Sequence, residues 1–129
     1  MMVTGLLIAE SAETVDSKIN IRGGILDTWG VHPSSMTGQF ELVVLLQSSV
    51  DDEGRDWSLG IEVVGPDGNQ LGLIDEVVPT SAGRGENRGH HRTLTVTFPS
   101  PGRYVFVVTV DGTTAAVPLT VHIDPTVSP

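Results

Sequence analysis

Three groups of residues in this chain are of types and spacings that could do chemistry. The first is the acidic run Asp51-Asp52-Glu53-Gly54-Arg55-Asp56. Clustered carboxylates between strands suit Ca²⁺, which takes roughly six to eight oxygen ligands. Asp51, Asp52, Glu53 and Asp56 are therefore a weak metal alternative. The spacing is not that of an EF-hand loop, and Arg55 opposes a cation, so the run reads first as a solvated inter-strand loop. The second group is His32, His90, His91 and His122. Zinc needs three or four converging ligands, and no HxH or HExxH spacing is present. Adjacent His90 and His91 would point to opposite faces of an extended strand. The expectation is no resident metal and no cofactor.

The third group is the glycine- and arginine-rich stretch over residues 81–91, with Gly83, Gly85, Gly89, Arg84 and Arg88, followed by Arg92 and Arg103. Its glycine spacing is not the dinucleotide fingerprint, and no helix follows to hold a phosphate. Arginine forks suit an acidic partner surface, a glycan or a phosphate. Arg84, Arg88, His90, His91 and Arg92 are the partner-binding candidates, weighed against a merely flexible surface loop. Nucleophilic catalysis has little support, because no G-x-S-x-G elbow occurs. Of the two tryptophans, Trp57 falls in phase with Leu59, Ile61 and Val63 and reads as core. Trp29 reads as core or boundary rather than as a sugar platform.

The elements that must position these residues are strands. Leu94, Val96 and Phe98 alternate with Thr93, Thr95 and Thr97, and Tyr104, Phe106, Val108 and Val110 alternate with Val105, Val107 and Thr109. Such period-2 patterns place one row on a buried sheet face. Eight strands are expected, near 3–10, 18–26, 39–48, 56–64, 70–78, 92–98, 103–110 and 115–123. Asp16-Ser17, Pro66-Asp67-Gly68-Asn69 and Asp111-Gly112 supply tight turns. Many short strands without helical periodicity predict an all-β antiparallel sandwich, with a closed barrel as the alternative. One domain is expected over residues 1–124, with a disordered tail at 125–129.

Composition narrows the function. Seven bases against sixteen acids give a net charge of -9, which excludes a broad nucleic-acid-binding face. Residues 81–103 run against that trend, with four arginines and a single acid, Glu86. With no cysteine, disulfides and thiolate chemistry are excluded. The apolar opening run ends at Glu10 with no base before Lys18, unlike a secretory signal, and no run is long enough for a membrane-spanning helix. A cytoplasmic or virion location with no membrane partner is expected.

Two stretches carry a family resemblance. Ala9-Glu10-Ser11-Ala12, then Asp16-Ser17-Lys18-Ile19-Asn20-Ile21-Arg22-Gly23-Gly24 and Asp27-Thr28-Trp29, resemble the opening of a family of small uncharacterised bacterial proteins found in actinobacteria and their phages. Pro101-Gly102-Arg103-Tyr104-Val105-Phe106-Val107-Val108-Thr109-Val110-Asp111-Gly112 is similar to the closing hairpin of immunoglobulin-like and fibronectin-like sandwiches. The resemblance implies such a sandwich and brings no catalytic or binding residue with it. The expected function is a non-catalytic protein-binding or assembly module, a virion decoration or accessory protein, whose partner is a protein or a second copy in a homo-oligomer. The alternative is a small-ligand or metal site at the loop end near His90, His91 and Asp51–Asp56.

Overall fold

The computed structural model describes residues 1–129. Nine strands form: β1 (Met2–Val15), β2 (Lys18–Gly24), β3 (Thr28–Val31), β4 (Thr37–Gln47), β5 (Trp57–Val64), β6 (Gln70–Val78), β7 (Asn87–Thr97), β8 (Gly102–Val110) and β9 (Thr113–Ile123). They make two sheets, ordered β2-β1-β4-β7 and β3-β9-β8-β5-β6. Neither sheet closes on itself, so the barrel alternative is set aside. Every pairing is antiparallel except β3 on β9, which is parallel. Facing sheets with these crossovers form an immunoglobulin-like β-sandwich. No helix is long and apolar enough to cross a membrane.

The period-2 rows become the core. Leu42, Val44 and Leu46 of β4 face Leu59 and Ile61 of β5 and Tyr104, Phe106 and Val108 of β8 in one apolar cluster. Without a disulfide, aromatic contacts help join the layers. Phe40 meets Phe106 edge-on at 5.6 Å, and Phe98 meets Tyr104 at 4.7 Å. The Tyr104 hydroxyl donates to the Ser100 carbonyl at 2.5 Å, tying the β8 strand to the turn before it, as a tyrosine corner does. Trp57 is core as its phase requires, and Trp29 is half-buried against Phe40.

Turn chemistry sets the hairpins. Asp16 and Ser17 both take positive φ, 51° and 63°, and Asp111 and Gly112 do likewise at 44° and 84°. Two such residues twist a two-residue turn to match the right-handed strands it joins. The first of these turns ends a hairpin that goes beyond the expected first strand. β1 pairs with β4 only through Ala9 and then continues to Val15 with β2 alone. The hairpin tip lies over the outer face of its own sheet, where the Ser17 carbonyl accepts from the Gly83 N–H at 2.8 Å. Val43 and Ala9, on that outer face, are fully buried.

Three expectations change. β3 was absent from the eight predicted strands. β1 runs past residue 10 as a two-faced polar ribbon. The stretch 81–91, read above as a surface loop, is strand from Asn87 onward, because β4 supplies a ladder partner for every residue from Asn87 to Thr97. The loop that remains is braced as well, since Ala82 and Gly89 exchange both backbone hydrogen bonds.

Candidate functional site

The two sheets end side by side. β7 closes one sheet and β6 the other. The chain passes directly from β6 to β7, so these free edges flank one open side of the sandwich. Between them runs a groove of about 580 Å³, lined by Ile61, Val63, Ile74, Leu94 and Val96 with Arg92 among them. A second hollow of about 430 Å³ continues past Arg92 along Glu76, Val78 and His90.

Strand phase explains the polar residues at this place. Ile74, Glu76 and Val78 pair with the inward residues Ile61, Leu59 and Trp57. Glu76 therefore faces inward. On the other sheet, Leu94, Arg92 and His90 pair with the inward residues Phe40, Leu42 and Val44. Arg92 and His90 therefore also face inward, and the two charges meet across the layers. The Arg92 Nε lies 3.7 Å from Glu76 Oε1, beyond hydrogen-bond length. That nitrogen and the Trp57 Nε1 are the two buried side-chain polar atoms without a partner in the whole chain. Such orphans are rare in native folds, and each calls for an explanation. His90 stands edge-on to Trp57 at 5.2 Å. Burial pushes its pKa down, with His91 and Arg92 adding to the effect and Glu76 opposing it.

The partner-binding candidates do not gather in one patch. His90 and Arg92 line the open side. His91 points the other way, beneath the β1–β2 hairpin, with Nδ1 3.1 Å from Glu41 Oε2 and Nε2 3.1 Å from the Thr14 hydroxyl. Thr93 donates to the other Glu41 oxygen. That set locks the hairpin to the sheet. Arg88 donates to the Gly85 carbonyl at 3.0 Å, and Arg84 stands exposed in the loop. Arg103 lies on β8 beside Thr120, in the other sheet.

The acidic run is not simply solvated. A 3-10 turn at Val50–Asp52 turns Asp52 inward, and it is buried. Its carboxylate accepts from the Met1 ammonium at 2.6 Å, the Arg55 guanidinium at 2.7 Å and the Ser49 N–H at 2.8 Å. These donors, the ammonium first, hold its pKa far below the usual carboxylate range. Asp111 joins from the β8–β9 turn, 3.3 Å from the same ammonium and 3.1 Å from Arg55. Asp51, Glu53 and Asp56 remain exposed. No three carboxylate or imidazole side chains come together as a metal set.

Glu76 is the residue that sequence reasoning missed. The signal was available: a charge standing in the apolar phase of its strand, as Arg92 does before Leu94, Val96 and Phe98.

No curated protein matches the chain. Among solved structures it is similar to an immunoglobulin-like protein from Pseudomonas aeruginosa, at 17% identity over 94% of this chain and 95% of that one, with a TM-score of 0.42. It is also similar to the CARDB domain of a Pyrococcus furiosus protein solved in complex with di-metal ions, at 14% identity over 93% and 90%, with a TM-score of 0.42. Residues 5–122 match a family of unknown function, DUF6941, and the chain belongs to that family.

Proposed function

We propose that this chain is a non-catalytic binding module that engages protein along its open β6–β7 side. One observation carries the reading. Two strand edges that no other named strand covers flank an apolar groove whose lining includes Arg92, the bearer of an orphaned buried nitrogen. Unpaired edges are ready templates for another strand, and strand addition is a common way to bind peptide. Leu73 and Val77, on the outer face of β6, are 63% and 68% exposed, which adds apolar area beside the edge. Assembly on a virion, or an accessory role in the cytoplasm, is the setting this proposal includes. It is supported by the small, acidic, cysteine-free composition.

The test is a photo-crosslinking residue placed at Leu73 in the cell that makes the protein, with Thr114 on β9 as control. Protein adducts at position 73 and none at 114 are expected. Absence of any adduct at 73 would remove the open side as a binding surface.

A further inference from the structure

We infer that the occupant of the open side is a second copy of this chain, in a two-fold dimer where β6 of each copy adds antiparallel to β7 of the other. The inference rests on the binding reading above and names its partner.

The geometry permits it because β6 and β7 end different sheets on the same side. A two-fold axis parallel to the strands sets the end of each sheet against the end of the other sheet in the second copy. Each four-stranded sheet then continues into the five-stranded sheet of its neighbour. Such an interface is self-complementary and closed, so it stops at two copies. β7 has groups to offer. The Gly89 N–H and C=O face the edge, where they bond Ala82. By strand alternation the same groups of His91, Thr93 and Thr95 face the edge too, beyond the reach of that loop.

Charge selects this pairing over the alternatives. β6 carries Asp75 and Glu76 and no base, and β7 carries Arg88, His90, His91 and Arg92 and no acid. Pairing β6 with β6, or β7 with β7, sets like charges side by side, which is destabilising. Pairing β6 with β7 sets acid against base.

The register follows from the ion pair. Glu76 and Arg92 lie at one level across the sandwich. The axis preserves that level, so Glu76 of one copy arrives beside Arg92 of the other. Two glutamates and two arginines then alternate around the axis, and each guanidinium gains a second carboxylate. This gives the orphaned Arg92 Nε a partner, while the apolar floor of both grooves is sealed. In the same register Leu73 faces Thr95 of the second copy.

The chain has no cysteine, so single cysteines report the pairing cleanly. Leu73→Cys and Thr95→Cys change exposed positions and leave the core intact. Mixed and oxidised, the two variants should form the heterodimeric disulfide, and neither should cross-link alone. Cross-linking within either variant alone would overturn the pairing. Light scattering should give twice the 13.7 kDa chain mass. Arg92→Glu should weaken the dimer by roughly 100-fold or more. The double variant Glu76→Arg/Arg92→Glu should restore it, and failure to restore would overturn the alternating ring. A single-chain mass up to ~1 mM protein would overturn the dimer itself. Photo-adducts at position 73 to a different protein would overturn the dimer and leave the binding reading standing.

Discussion

Two charged clusters at different places in the sandwich have the same ingredients and opposite finish. At one end, Asp52 and Asp111 surround the Met1 ammonium and Arg55 with short hydrogen bonds. Asp111 also accepts from the Ser58 N–H at 2.9 Å. On the open side, Glu76 and Arg92 stand at 3.7 Å with a guanidinium nitrogen unpaired. A buried charge is tolerated when its hydrogen bonds are complete. The complete cluster holds the fold together. The incomplete one leaves bonding capacity, which the proposed binding along the open side would use.

The largest expected effect comes from breaking the complete cluster. Asp52→Ala leaves the ammonium and the guanidinium to share Asp111 alone and strips the buried acceptor from both. Chemical denaturation should show a lower midpoint than for any substitution on the open side, with the slope unchanged. Glu41→Ala ranks next, at about 1–3 kcal/mol, because it strips the acceptor from Thr93 and His91 beneath the hairpin. Hydrogen exchange in residues 10–24 should rise in that variant.

Acid should separate the two clusters. The folded pKa of His90 lies below its ordinary 6.5, so the folded state binds fewer protons there. Stability from this group is present above 6.5 and lost as pH falls toward the folded value. Asp52 is also depressed, so its contribution is present above 3.8 and lost below it. Melting against pH should therefore show two acid steps, with His90→Phe removing the upper one and Asp52→Asn shrinking the lower, which Asp67, Asp111 and Asp124 share. The smallest effect is expected for Arg92→Met. Replacing a half-exposed charge in an apolar row should change stability by less than about 1 kcal/mol, while association is lost. A large destabilisation by Arg92→Met would show that both clusters serve the fold.

The sequence disclosed the sandwich well where one face is buried and the other wet. The rows Trp57-Leu59-Ile61-Val63 and Tyr104-Phe106-Val108-Val110 alternate because β5 and β8 sit mid-sheet over the core. It hid three elements for different reasons. Residues 10–15 are solvated on most sides, so nothing alternates there, although their partner β2 falls within the strand expected at 18–26. β3 is four residues long, carries Gly30 and depends on β9 for its existence. The start of β7 has the composition of a loop, and its strand character comes from the ladder with β4. The site was half legible. Arg92, His90 and His91 were singled out by type, but one-residue alternation separates His91 from the other two. Glu76 joins them only through the packing of one sheet on the other, which no local pattern encodes.

The parallel pairing of β3 with β9 also bears on how the molecule is made. Thr28 binds alongside Thr120, and Val31 alongside Ile123. On the ribosome, β3 is synthesised long before its only sheet neighbour emerges. Contacts of such wide sequence separation form slowly. The β3 backbone must wait without its ladder partner until β9 leaves the exit tunnel. A pause during synthesis of the final strand would prolong that wait, the interval in which a nascent sandwich is most open to misassembly.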